Sequence, residues 1–304
     1  MTVLIVGGCG FIGSHLVDAL VRRGVSVRVF DRQAERYRPP VRGVDYRYGN
    51  FADRMSLVEA MSGVATVVHL VSTTFPGTAD LDPRTDVQDN LVSTISLMDS
   101  MVGLGIRRII YLSSGGTVYG IPDCVPIPET HPLRPINSYG IVKAAIESYL
   151  EMYRRTRGLS PLVLRPSNPY GPRQGHVGVQ GVVSTFLRRA LTGEPIEVWG
   201  DGSVVRDFIH VRDLAELCAK AVLSDVEGVF NAGSGEGVSV NQIIQGVKDV
   251  SGMDIPTLYK PGRPVDVQRS VLDTTLAKTT FDWSLQIPLQ QGLAETWDWL
   301  KETA

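Results

Sequence analysis

Cysteine is scarce in this chain: Cys9, Cys124 and Cys218 are all there is in 304 residues. Their odd number and scattered spacing exclude a disulfide framework and the paired spacings of zinc or redox motifs, so no metal is expected. Each is read as a small buried hydrophobe in a reduced, cytoplasmic protein. No apolar run is long enough to span a bilayer, and the opening TVLIVGGCGFIG lacks the basic start and cleavage site of a secretory leader. Neither sign of charge dominates, with 30 basic against 32 acidic residues. That balance removes any general electrostatic reason to expect nucleic acid or an anionic membrane as partner. Repeats and low-complexity linkers are also missing. What is present, 43% hydrophobic and 20% charged residues, describes a globular protein and excludes disorder.

The order of segments has a rhythm. TVLIVGG is a short apolar run ending in glycines, as suits a strand buried on both faces. SHLVDALVRRG follows with helical spacing, then VSVRVFD as a second strand. ATVVHLV, IRRIIYLSS and LSPLVLRPS are further strands, separated by helical stretches such as DNLVSTISLMDSMVGLG. Alternation of this kind predicts right-handed crossovers and a parallel sheet. From Asn168 onward, NPYGPRQGHVGVQG is expected to be a loop, not a sheet strand. The last third mixes short strands and helices, which predicts a smaller lobe. The fold class is therefore α/β: a doubly wound parallel sheet with a smaller C-terminal α/β lobe.

Gly7-Gly8-Cys9-Gly10-Phe11-Ile12-Gly13 lies between the first strand and the first helix. Gly7 permits the tight turn, Gly10 lets backbone approach a pyrophosphate, and Gly13 allows helix to pack closely on strand. The helix start then offers free N–H groups and a partial positive charge to the phosphates. Asp31 closes the second strand, where a carboxylate can accept from both hydroxyls of an adenosine ribose and repel a 2′-phosphate. This favours NAD over NADP, although the guanidinium of Arg32 could tolerate the extra phosphate.

PINSYGIVKAAIE carries Tyr139 and Lys143 four residues apart. Asn137 or Ser138 can cap a helix here, and one turn then brings the two side chains to the same face. Alone, such a pair occurs often by chance. Together, the glycines at 7, 10 and 13, LSSGGTVYG, SYGIVK, LRPSNPYGPRQ and GDGSVVRDFIHVRDLAE resemble an extended short-chain dehydrogenase/reductase. Within that group the chain is similar to the NAD-dependent nucleotide-sugar 4-epimerases, and the likeness covers essentially the whole chain in the family's order. It implies a Rossmann-type NAD-binding domain over 1–167. A nucleotide-sugar-binding lobe over 168–304 is implied beside it, with about 207–232 returning to pack on the first domain.

The resemblance gives the Tyr139–Lys143 pair a chemistry. A free tyrosine has a pKa of about 10, and a base working near neutrality needs it about three units lower, which costs ~4 kcal/mol. One cation about 4 Å away at an effective dielectric of 20 supplies ~4 kcal/mol. Lys143 and the positive nicotinamide would hold Tyr139 as a phenolate that takes the proton of the sugar 4-hydroxyl. The family commonly places a serine four residues before Tyr119, where this chain has Gly115. Thr117 is the expected replacement, with Ser114 in support. An Asp-Glu pair is lacking at Gly116-Thr117, which disfavours elimination of water as in the related dehydratases.

By the same matching, Asn50, Phe51, Leu70 and Val71 line the NAD path, joined by Ser72, Asn90 and Pro166. Arg206 and Arg263 are expected to grip the substrate diphosphate, with Asp266 beside the second. Trp199 would stack on uracil or be buried in the lobe, Asn168 would reach the sugar phosphate, and Ser270 would lie beside the sugar C2 substituent. His69 and His210 are read as structural. The expected reaction is 4-epimerisation of a UDP-hexose or UDP-N-acetylhexosamine. The alternatives are an NAD(P)H-dependent 4-keto sugar reductase and, ranked lower, a non-catalytic NAD sensor. A homodimer is expected through a four-helix bundle built from the helices around 87–103 and 138–157.

Overall fold

The computed structural model describes residues 1–175, 181–262 and 267–303. The chain runs β1 Thr2–Val6, α1 Phe11–Arg22, β2 Ser26–Asp31, β3 Asp45–Tyr48, α2 Arg54–Met61 and β4 Thr66–His69. A short helix α3, Pro83–Asp86, leads through a π-helical turn, Val87–Val92, into α4 Ser93–Gly103. Then come β5 Arg108–Leu112, α5 Ser138–Arg157, β6 Ser160–Pro166, β7 Asn168–Tyr170, α6 Val182–Thr192, β8 Ile196–Trp199 and β9 Val205–His210. The chain continues with α7 Val211–Val222, β10 Gly228–Ala232, β11 Gly237–Ser239, α8 Val240–Ser251, β12 Thr257–Lys260, β13 Arg269–Ser270, α9 Thr275–Phe281 and α10 Leu289–Thr303.

One sheet has the order β10-β6-β5-β4-β1-β2-β3, and its pairings β2–β3, β1–β2, β1–β4, β4–β5 and β5–β6 are parallel. That order reverses between β1 and β4, as in the Rossmann-type doubly wound fold. The strands expected from sequence at Thr2, Ser26, Thr66, Arg108 and Ser160 are all in it. Their alternation-free Val/Ile runs follow from burial on both faces: all of β4 and all but the first residue of β1 are buried.

Two compact units divide the chain. The first comprises Met1–Gly120, Pro132–Arg165 and Ala215–Phe230. Its core joins Leu4, Val67, Ile109 and Val163 of the strands to Leu97, Met98, Ile146 and Leu150 of α4 and α5. The second unit comprises Ile121–His131, Pro166–Leu214 and Asn231–Ala304. There Phe186, Leu187, Ile243, Val247, Leu293 and Trp297 pack three helices around Ile196 and Phe208.

One expectation needs correcting. Asn168–Tyr170 is not loop but β7, paired in parallel with Phe208–His210 of β9. The proline and glycine that suggested a loop are compatible with a three-residue strand, because the chain only has to pair for that length before Gly171, at φ 143, turns it away.

Candidate active site

The glycine turn has the form that close backbone approach requires. Gly7 sits at φ 90, and its N–H donates to Phe30 at 2.8 Å. A Cβ on Gly13 would stand 2.2 Å from the Gly7 carbonyl oxygen, so any side chain there breaks the turn. Gly10 is the N-cap of α1, and no side chain caps that helix. The first turn therefore presents its N–H groups outward, as a pyrophosphate needs. Asp31, at the end of β2, accepts from Cys9 N (3.0 Å) and Gln33 N (3.1 Å), one on each carboxylate oxygen. Both oxygens keep a lone pair for ribose hydroxyls. Arg32 is exposed, and Asn50 is exposed with its carbonyl oxygen on Ala52 N at 3.0 Å. Phe51 is buried against His69, ring centres 4.9 Å apart, whereas Phe11, Ile12, Leu70 and Val71 are half-buried and Pro166 is buried. A capless helix start, a cradle that a Cβ would fill and a strand-end carboxylate together fit an adenine dinucleotide.

Tyr139 and Lys143 lie on the first turns of α5. Asn137 caps that helix by accepting from Gly140 N at 2.8 Å, and Gly158 ends it at φ 69. The Lys143 ammonium stands 5.5 Å from the Tyr139 ring centre and 5.0 Å from that of Tyr111, and donates to the Leu112 carbonyl at 2.9 Å. Burial lowers Lys143 to about 8, against the opposing pull of Glu147 and Asp86. Burial also pushes Tyr139 up to about 12, helped by the Asp86 carboxylate and opposed by a hydrogen bond with Ser72. The requirement is therefore larger than the sequence indicated. Ionising this phenol near neutrality takes about five pKa units, ~7 kcal/mol. Lys143 supplies one positive charge, and a cationic ligand group beside the phenol would lower its pKa further.

Around the pair is a buried polar frame. Ser113 donates to Glu147, Arg165 grips Glu147 through both its Nε and Nη2 (2.6 Å at the shortest), and Arg165 donates to the Tyr119 hydroxyl at 2.8 Å. Ser114 is buried beside this frame. The Thr117 hydroxyl is buried with no partner among the described residues, as expected of a group that serves a ligand. His69 is buried on Thr94 at 2.9 Å, and burial pulls it to about 3, which keeps it neutral.

In the second unit, Asn168, Trp199, Arg206, Phe186, Phe208 and Val240 are among the residues lining a cavity of about 290 Å³. Arg206 donates to the carbonyls of Val205 (2.9 Å) and Val267 (2.6 Å), and Asn168 donates to that of Asp207 at 2.8 Å. Trp199 lies at the rim, 45% exposed, with Lys260 Nζ 5.5 Å from its ring centre, so the alternative of a core tryptophan is excluded. Ser270 is buried on β13, in register with Arg206. Arg263 and Asp266 lie outside the described residues.

Asp86 was missed. It is fully buried and accepts hydrogen bonds from Thr74, Asn90 and Ser138. Its spacing four residues before Asn90 is the one signal the sequence held.

Residues 3–233 match the NAD dependent epimerase/dehydratase family. The chain is 32% identical over 309 residues to a UDP-glucose 4-epimerase of Mycolicibacterium smegmatis, covering 97% of each. It is similar to the crystal structure of UDP-glucose 4-epimerase with UDP-glucose from Thermotoga maritima, at TM-score 0.94 and 36% identity over 100% of this chain and 99% of that one. The UDP-N-acetylglucosamine 4-epimerase of Methanobrevibacter ruminantium M1, solved with UDP-N-acetylmuramic acid, superposes at TM-score 0.93 with 27% identity, over 100% and 99% of the two chains.

Proposed function

Because the chain belongs to the NAD-dependent epimerase/dehydratase family, we propose that it is a UDP-sugar 4-epimerase acting on a UDP-hexose or UDP-N-acetylhexosamine. The observation that carries this reading is the Tyr139–Lys143 pair on one face of α5. The Gly7–Gly13 turn and Asp31 would hold NAD, which would supply hydride-transfer chemistry at the sugar C4. Tyr139 accepts the 4-hydroxyl proton as the hydride leaves and gives it back when the ketone is reduced on its other face. Lys143 holds the phenolate by its charge. Thr117, whose hydroxyl has no partner among the described residues, relays between the sugar oxygen and Tyr139 in place of the serine absent at Gly115, and Ser114 supports it.

Asn168, Arg206 and Trp199 line the apolar-walled cavity of the second unit, which suits a uridine diphosphate. Arg263 and Asp266 would complete the clamp. We assign NAD binding to 1–167 and nucleotide-sugar binding to 168–304, with 207–232 returning to the first. The working enzyme is a cytoplasmic homodimer. The test is incubation of purified protein with UDP-glucose, UDP-galactose and their N-acetylated counterparts, with no nicotinamide added. Interconversion at C4 supports the proposal; no interconversion, together with stoichiometric oxidation of NAD(P)H when a UDP-4-keto sugar is supplied, would instead identify a 4-keto sugar reductase.

A further inference from the structure

Asp86 is a carboxylate with no exposed surface and no guanidinium or ammonium in hydrogen-bond contact among the described residues. Its three donors come from three elements that each bear on Tyr139. Thr74 Oγ1 (2.6 Å) and Asn90 Nδ2 (2.9 Å) share Oδ1, while Ser138 Oγ (2.7 Å) takes Oδ2. Ser138 is the first residue of α5, next to Tyr139. Thr74 ends the stretch in which Ser72 donates to the Thr74 carbonyl (2.9 Å) and hydrogen-bonds Tyr139. Asn90 holds the same stretch by accepting from Thr73 N at 2.9 Å. One buried side chain thus fastens the start of the catalytic helix to the loop that touches the catalytic phenol.

Charge gives the second half of the argument. Two carboxylates face Lys143, Glu147 and Asp86. Glu147 is already committed to Arg165 by a buried, two-nitrogen contact. Glu147 still exerts the larger pull on Lys143, and Asp86 adds a second negative charge that no guanidinium or ammonium contacts among the described residues. Two further titratable groups beside the pair carry no charge near neutrality: burial keeps His69 neutral and keeps the Tyr111 phenol protonated. Asp80, which caps α5 by accepting from Ser138 N at 2.7 Å, is exposed and therefore screened.

We infer that Asp86 is a positioning residue of this site: it locks the Tyr139-bearing turn of α5 to the 72–74 loop and supplies a second counter-charge to Lys143. The inference rests on reading Tyr139 and Lys143 as the catalytic pair. A negative charge favours the protonated form of both groups, so it raises both their pKa values. Removing the charge alone must therefore lower both together. A merely structural residue would scale activity without moving either.

The experiment is the pH profile of kcat/KM of the NAD-loaded enzyme with UDP-glucose. Asp86→Asn keeps the shape and removes the charge; both limbs of the bell should move to lower pH by about one unit. Ser138→Ala keeps the charge and removes the tether, so kcat should fall several-fold while both limbs stay put. Limbs of Asp86→Asn that coincide with wild type overturn the inference, and so do limbs of Ser138→Ala that move as far. Should Asp86→Asn fail to fold by circular dichroism, Asp86→Ser is read the same way, and the Ser138→Ala profile can still refute it. Tyr139→Phe separates the two levels. If that variant turns over normally, the catalytic pair itself is wrong; if it is dead and Asp86→Asn has unmoved limbs, only the role of Asp86 is.

Discussion

The Lys143 ammonium stands 5.5 Å from the centre of the Tyr139 ring and donates to the carbonyl of Leu112, the last residue of β5. Strand and helix thus hold the cation beside the phenol before any ligand is present. Tyr139→Phe removes one oxygen and leaves this arrangement intact. It should fold, retain NAD and lose turnover by more than a hundredfold, since a positioned acid–base group contributes about 10²–10⁴. Bound NAD measured after release, together with turnover of UDP-glucose, checks this; activity within tenfold of wild type would remove Tyr139 from the mechanism.

The protonation of Tyr139 should depend on the charge of the cofactor. Burial and Asp86 hold the phenol at about 12. Cofactor-stripped protein should therefore show no tyrosinate from this residue at pH 8, well below that value. Adding NAD⁺ brings a second positive charge and should raise tyrosinate absorbance by one residue; NADH, whose nicotinamide ring is neutral, should not. Tyr139→Phe is the control, and an equal rise in that variant would assign the signal elsewhere.

Arg165 and Glu147 are both buried and hydrogen-bonded to each other through two nitrogens. Arg165→Met leaves Glu147 as an unpaired buried carboxylate and should cost about 3–5 kcal/mol in urea denaturation. Replacing both, with Glu147→Leu added, should recover much of that loss because no charge stays behind. A double variant less stable than Arg165→Met would contradict this account.

What could be read from the sequence was what depends on near neighbours along the chain. The Gly7–Gly13 turn, Asp31 at a strand end and the Tyr139–Lys143 spacing are set by local geometry, and all occupy the expected elements. The rest depends on contacts across the fold. Asp86 draws on Thr74, Asn90 and Ser138, up to 52 residues away, and beyond the four-residue spacing to Asn90 no local pattern reveals that they meet. The upward shift of Tyr139 is likewise a consequence of burial, which a list of residues does not display. At Asn168–Tyr170 local signals misled, because pairing with β9 outweighed the turn-forming composition.

The proposed homodimer has a candidate surface. Ile141 (53%), Tyr149 (36%) and Met152 (43%) are exposed at helical spacing along α5, and Val92 (43%) precedes α4. A charge placed in such a face is costly once it is covered. Light scattering should give a dimer at micromolar concentration for wild type and a monomer for Ile141→Glu. A monomeric wild type would end the proposal.

The proposed choice of sugar rests on Ser270 lying beside the C2 substituent, as the resemblance implies. Ser270 is buried on β13, paired in register with Arg206, whose side chain lines the cavity of the second unit. A small residue beside the C2 substituent leaves room for an N-acetyl group, whereas a tyrosine leaves room for a hydroxyl only. Forcing extra atoms into a packed site costs ~1–3 kcal/mol, about tenfold to a hundredfold in specificity. UDP-N-acetylglucosamine and UDP-N-acetylgalactosamine should therefore be accepted by the wild type. Ser270→Tyr should lower kcat/KM for them at least tenfold while sparing UDP-glucose. Because Ser270 is only 8% exposed, thermal unfolding of the variant has to be measured alongside; a general loss of packing would reduce both sugar classes equally. Only the selective loss identifies a gate, and an equal loss, or none, shows that Ser270 does not choose the sugar.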